Sequence, residues 1–175
     1  MIFETTRCRV RELDRVRDVA CFCELQSDPD VMKYCGKQIR SQSESIAELD
    51  RVVRSYVKPM NTFWVWAIES RTEAGFLGTC AAVTNKQGEQ EIGYRLLRKY
   101  WGNGFASEIV TPLVEYMFES LNFPEVVAYV DSRNVPSIKV LEKSCLDFES
   151  EGFSIEFQAL ERVYRCRRRM DRPRA

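Results

Sequence analysis

Apolar residues recur along this chain in two rhythms, and the switches between them mark its elements. Residues 7–11 read as a short strand. Asp14 then caps a helix in which Val16, Val19, Ala20 and Cys23 share one face. Ser27-Asp28-Pro29 restarts a helix, with Asp28 as cap and Pro29 at the first helical position. Ser41-x-x-Glu44 fits a capping box ahead of Ile46, Leu49, Val52, Val53 and Tyr56 at helical spacing. Phe63 to Ile68 is apolar at every position, which predicts a strand buried on both faces. A turn at Thr72–Gly75 leads to a second strand over Phe76–Val83, so the pair predicts an antiparallel hairpin. Glu91–Leu97 is a third strand of the middle region. From Phe105, the stripe Ile109, Val110, Leu113, Val114, Met117, Phe118, Leu121 predicts a helix, and Pro112 within it frees the Glu108 carbonyl and predicts a kink. Glu125–Val130 reads as a strand, and Asn134 caps a helix to about Ser144. Two strands close the chain near Phe148–Ser154 and Ala159–Met170. Strands and helices do not alternate regularly, so the sheet is mixed rather than built from βαβ units.

Composition bounds what such a chain does. At 175 residues, 45% hydrophobic and 30% charged, residues 1–175 form one globular domain. Lys plus Arg and Asp plus Glu each number 26, so no net charge directs the chain to nucleic acid or membrane. The longest apolar run is six residues, and no basic stretch precedes a long apolar run at the N-terminus, which predicts a cytoplasmic protein without a membrane partner. Seven cysteines without a C-x-x-C pair argue for reduced thiols and against a structural zinc site, so no metal is expected. There is no histidine. Ser-His-Asp triads, Cys-His dyads and histidine bases are therefore excluded, and acid–base work falls to Glu, Asp, Tyr, Cys, Lys, backbone or water.

The most informative segment runs from Glu91 to Glu108. With only eight glycines in the chain, Gly102 and Gly104 fall together between a strand and a helix. Such a turn aims several backbone N–H groups at one spot beside a helix N-terminus, a site for phosphate. A P-loop is absent, and Ser107 stands where a dinucleotide fingerprint needs its third glycine.

Lys99-Tyr100-Trp101-Gly102-Asn103-Gly104 resembles the acyl-CoA motif Q/R-x-x-G-x-G/A of the GNAT N-acetyltransferase superfamily. The longer run E-I-G-Y-x-L-x-x-x-Y-W-G-x-G-F-A-S-E is similar to its RimJ/RimL branch, which includes ribosomal-protein N-terminal acetyltransferases. Thr6–Arg11, Ser27–Tyr34 and Asn134-x-x-Ser137-x-x-Val140-Leu141-Glu142-Lys143 resemble further segments of that branch, in its order. The resemblance implies an α/β fold of mixed, α+β-like character: a mostly antiparallel twisted sheet of about seven strands flanked by about four helices. It implies acetyl-CoA as acyl donor and an amine acceptor, a peptide N-terminus or a small molecule, with a second copy of the chain left open as a partner. Backbone amides of Tyr100, Trp101, Gly102, Asn103, Gly104, Phe105 and Ala106 would hold the CoA pyrophosphate, with Lys99 in place of the usual Gln or Arg and Ser107 adding a hydroxyl. The preceding residues Leu96, Leu97 and Arg98 would lie along the pantetheine arm, a backbone N–H at Leu96 or Leu97 polarising the thioester carbonyl. Asn134 would sit near the pantetheine end while also capping its helix.

Two positions depart from the family pattern. Leu141 stands where many members carry a tyrosine acid for the departing thiolate, leaving Ser137, water or unaided departure. Cys145 stands where a glycine is usual, and in a left-handed conformation it would cost about 1–2 kcal/mol. Glu91 resembles the family's base, acting directly or through water on the amine. Two other readings stay open: a non-catalytic acyl-CoA-sensing module, and an RNA- or ribosome-associated protein using its C-terminal arginines. From Glu161 to Ala175 seven arginines face two acids, a local charge of +5, read as a strand with a solvated basic face.

Overall fold

The computed structural model describes residues 1–35, 39–73, 75–155 and 157–168. Its strands are β1 (Phe3–Glu4), β2 (Cys8–Glu12), β3 (Phe63–Ser70), β4 (Phe76–Thr84), β5 (Gln90–Leu96), β6 (Glu125–Asp131), β7 (Asp147–Ser154) and β8 (Ala159–Arg167). Its helices are α1 (Val19–Ser27), α2 (Pro29–Met32), α3 (Gln42–Ser55), α4 (Phe105–Glu119) and α5 (Val135–Leu141). The eight strands form one sheet in the order β1-β2-β3-β4-β5-β6-β8-β7. All neighbours are antiparallel except β5 and β6. The mixed, mostly antiparallel architecture is as expected. The eighth strand is the two-residue β1, too short for a periodic signal; the fifth helix, beyond the four the resemblance implies, is the single turn α2, which Asp28 caps and Pro29 opens as its residues predict.

Period-two alternation sorts the sheet into two cores. Trp66 and Ile68 of β3 pack with Ile109, Leu113 and Met117 of α4 and Ile138 and Leu141 of α5. Val65 and Ala67, from the same strand, pack with Phe22 and Leu25 of α1 and Leu49 and Val52 of α3. Residues 65–70 are buried throughout, so the all-apolar run is a central strand covered on both faces. The Ser41–Glu44 capping box opens α3 as expected, with the Ser41 N–H donating to Glu44 Oε2 at 2.8 Å. Helix α4 runs through Pro112 as one element.

The first helix differs from its sequence reading. Asp14 Oδ1 accepts from the N–H groups of Val16 and Arg17 at 2.8 and 2.7 Å, so it caps a separate turn, and Val16 is 87% exposed. Helix α1 starts at Val19 because Asp18 is drawn elsewhere: its carboxylate takes both Nη atoms of Arg11 at 2.7 and 2.8 Å. Arg11 also meets Glu69 of β3 at 3.1 Å, and Asp18 and Glu69 are both buried. This cluster ties the start of α1 to β2 and β3. Helix α5 ends at Leu141, not Ser144, because Lys143 and Ser144 turn back onto the Val140 and Leu141 carbonyls.

Part of the basic tail, Arg169, Arg172 and Arg174 together with Met170, lies outside the described residues. The arginines of β8 are not a bare solvated face. Arg165 meets Glu89, Glu125 and Glu149 at 2.8, 3.0 and 2.9 Å, and Arg162 meets Glu151 at 2.8 Å.

Replacing Arg11 with Met should destabilise the protein by about 3 kcal/mol, because buried Asp18 loses its counter-charge while Glu69 keeps its second partner, Arg17. Chemical denaturation checks this, and adding Asp18→Asn to the variant should restore part of the loss.

Candidate active site

The site forms where β5 parts from β6. The two strands pair in parallel at Glu91↔Val127. On its other edge β5 is fully laddered to β4, from Thr84↔Gln90 to Gly78↔Leu96. The Leu97 N–H donates to the Leu77 carbonyl at 2.9 Å. Opposed residues in an antiparallel ladder alternate between bonded and non-bonded pairs. The Leu96 N–H therefore points away from β4, toward the side where β6 has diverged. The Leu96 carbonyl is taken by the Trp101 indole N–H at 2.8 Å, which pins the following turn to the strand end. Of the two amides named from sequence, Leu97's is occupied by β4 and Leu96's faces the opening.

After a 3-10 turn at Arg98–Tyr100, Gly102 and Gly104 adopt φ of 75° and 78°, the left-handed region where a side chain is strained. A Cβ at Gly102 would meet nothing within 4 Å, so the surface above the turn is open. Gly104 is the N-cap of α4 and contributes no side chain, so the first-turn amides of Phe105, Ala106 and Ser107 are left for an external anion. Arg98 pairs with Asp30, and Lys99 Nζ lies 3.8 Å from Glu24. Asn103 folds its amide onto the Trp101 carbonyl at 3.2 Å.

Sequence reasoning missed what stiffens this turn. Arg7, between β1 and β2, donates its backbone N–H and Nε to Glu108 at 2.7 Å each and its Nη1 to the Asn103 carbonyl at 3.0 Å. Its guanidinium stacks 4.6 Å from the Phe105 ring centre. Burial pushes the Glu108 carboxyl up, but hydrogen bonds from Thr5 and Arg7 outweigh it and hold the group below its ordinary value. The signal was present as Thr5, Arg7 and Glu108, but nothing in spacing joins residues a hundred positions apart.

Glu91 lies at the other end of β5, half-buried, accepting from Asn85 Nδ2 at 3.3 Å. Its neighbour Glu89 is bound by the Tyr129 hydroxyl and Arg165, which hold its carboxyl below the usual range. On the opposite face of β5, the Tyr94 hydroxyl lies 2.7 Å from Ser137 Oγ, joining β5 to α5 across the opening. Burial pushes the Tyr94 hydroxyl up to about 12, so it is protonated at neutral pH. Asn134 Oδ1 accepts the Ser137 N–H at 3.3 Å, its cap role. Leu141 is buried in the α4–α5 core. Cys145 is not among the described residues with positive φ, so no left-handed strain arises there.

The site is thus a splayed strand pair running into a glycine turn and an uncapped helix. A family model described as the acetyltransferase (GNAT) domain matches residues 7–145. This chain belongs to the GNAT acetyltransferase family. The acetyltransferase is 34% identical over 163 residues to an uncharacterized N-acetyltransferase, p20, of Bacillus licheniformis, covering 88% of this chain and 85% of that one. Its fold matches a GNAT-family acetyltransferase of Bacillus anthracis with a TM-score of 0.82 at 21% identity, over 94% and 96% of the two chains. It likewise matches the ribosomal-protein-S5-alanine acetyltransferase of Vibrio fischeri with a TM-score of 0.76 at 18% identity, over 94% and 95%.

In this acetyltransferase, Glu108→Gln should cost about 1–2 kcal/mol at pH 7, given the partly exposed Arg7. The native carboxyl is lowered, so its contribution is full above the unfolded value of 4.5 and fades as pH falls through the folded value. Denaturation at pH 7 and pH 3 should show the full difference between variant and wild type at the first and a smaller one at the second.

Proposed function

We propose that the enzyme moves the acetyl group of acetyl-CoA directly to a primary amine, a peptide N-terminus or a small molecule, in a ternary complex. The observation that carries this is the open edge of β5, with the Leu96 N–H turned toward the gap and leading into the uncapped N-terminus of α4. Acetyl-CoA supplies an activated thioester whose thiolate, with a thiol pKa near 8.5, is a fair leaving group. The Tyr100 and Trp101 N–H groups, expected from sequence to face the pyrophosphate, instead close the 3-10 turn onto the Leu97 and Arg98 carbonyls at 2.9 and 3.1 Å, so the amides from Gly102 to Ala106 are the ones that suit it, with Arg98, Lys99 and Ser107 bordering the same turn. The Arg7–Glu108 clamp fixes these amides before the ligand arrives, lowering the ordering cost of binding.

Within the gap the Leu96 N–H is directed to polarise the acyl carbonyl. Glu91 takes the proton of the incoming amine, directly or through water. An α-amine with pKa about 8 costs about 1 kcal/mol to deprotonate at pH 7, and a lysine-like amine about 4–5 kcal/mol. Glu89 suits the base's role less well, because Arg165 and Tyr129 stabilise its ionised form. We assign to Ser137, whose Oγ lies 2.7 Å from the Tyr94 hydroxyl, a hydrogen bond to the sulfur as it leaves as thiolate, the help that Leu141 cannot give. A purely sensing module was suggested by Leu141 and Cys145, and both are accommodated here as ordinary structural residues.

Glu91→Gln should lower kcat by about tenfold at pH 7 with an α-amine acceptor, converge on wild type above the amine pKa, and leave the acetyl-CoA KM unchanged. A pH–rate profile identical to wild type would sink the assignment. Ser137→Ala should lower kcat by about tenfold at all pH values without changing acetyl-CoA affinity, measured by thiol release and calorimetry.

A further inference from the structure

The face of β5 that bears Glu91 also bears Gly93 and Arg95, by strand alternation. A Cβ at Gly93 would meet nothing within 4 Å, and the residue paired with it on β4 is Ala81. Between Glu91 and Arg95 the strand thus presents a stretch about 13 Å long whose middle is open and floored by two small residues. One end is a carboxylate and the other a guanidinium.

Arg95 differs from the ion-paired arginines around it. Its Nη1 donates to Gln26 Oε1 at 2.9 Å and lies 3.3 Å from Met32 Sδ, both uncharged partners. Among the described residues no carboxylate lies within ion-pair distance of it. Glu48, the acid closest in charge terms, is taken by Arg51 at 2.7 Å and Arg40 at 3.5 Å. The guanidinium is desolvated enough that burial disfavours its charged form. Arg95 as a residue keeps part of its surface exposed, so it is not sealed within the core. A largely desolvated arginine whose hydrogen-bond partners are uncharged, beside the open space at Gly93, is suited to receive an anion.

We infer that Arg95 selects acceptors in which the reacting amine is accompanied by an anionic group, a carboxylate or a phosphate, with the amine toward Glu91 and the anion on the guanidinium. This rests on the reading of Glu91 as the base. Gln26, held 1% exposed at the end of α1, positions the guanidinium. A polyamine would place a cation against Arg95 and is disfavoured.

The test measures thiol release from acetyl-CoA with matched amines: tyramine against tyrosine, and ethanolamine against O-phosphoethanolamine, each rate corrected for the neutral fraction of its amine. Wild type should favour the anionic member of at least one pair by tenfold or more in kcat/KM. In Arg95→Gln that ratio should collapse toward one, and in Arg95→Lys it should partly return, with acetyl-CoA KM unchanged in both. The ratio is taken within one variant, so partial misfolding cancels. The carboxylate and phosphate arms identify the anion. Neutral members turned over as well as anionic ones, or a ratio unchanged in Arg95→Gln, would overturn the inference and leave the acetyltransferase reading standing. Acetyl-CoA bound in calorimetry with no thiol released by any amine would overturn the proposed function and this inference with it.

Discussion

Everything at the site depends on one interruption of hydrogen bonding. A strand inside a sheet is expected to satisfy both of its edges. Strand β5 satisfies one against β4 along its whole length and pairs with β6 at Glu91↔Val127. The edge beyond is backbone held rigid on one side and directed into a gap on the other. Because the β4 ladder fixes which amides point where, no side chain is needed to aim the Leu96 N–H. A donor fixed by a ladder costs no reorganisation when a charge develops in front of it.

The glycine turn extends the same principle from strand to helix. Its two left-handed residues bring backbone to the surface, and the uncapped first turn of α4 adds further donors. Loops with this much exposed backbone are ordinarily mobile. Here Trp101 ties the turn to the Leu96 carbonyl and Arg7 ties it to β2, so it is braced from both sides. Glu108 does two jobs: its charge favours the positive helix end, and it anchors the arginine that stiffens the turn.

The long elements were legible because their periodicity is intrinsic. The buried run Phe63–Ile68, the capping box at Ser41–Glu44 and the stripe of α4 carry their structure in local spacing. The glycine turn was legible because Gly102 and Gly104 have a conformation few other residues tolerate. What spacing could not show were contacts closed by topology. Nothing local distinguishes Asp18, which a buried arginine diverts from helix capping, from Asp28, which caps α2. The same holds for Tyr94: its hydroxyl acquires a role only when β5 and α5 become neighbours. The arginines of β8 looked solvated because their carboxylate partners come from the β4–β5 turn, β6 and β7.

The balance of 26 basic and 26 acidic residues takes on its meaning at that level. Removing a charge from water is tolerated when an opposite charge meets it. Arg11 is met by Asp18 and Glu69, Arg7 by Glu108, and Arg165 by three glutamates. Arg95 is met by an amide oxygen and a thioether. A cationic acceptor would leave that guanidinium without a counter-charge and add a second positive group to the same face. An acceptor carrying both an ammonium and an anion presents the complement of each end of the Glu91–Arg95 stretch. The two desolvation costs then offset within one ligand, and the amine is drawn to the carboxylate proposed as its base.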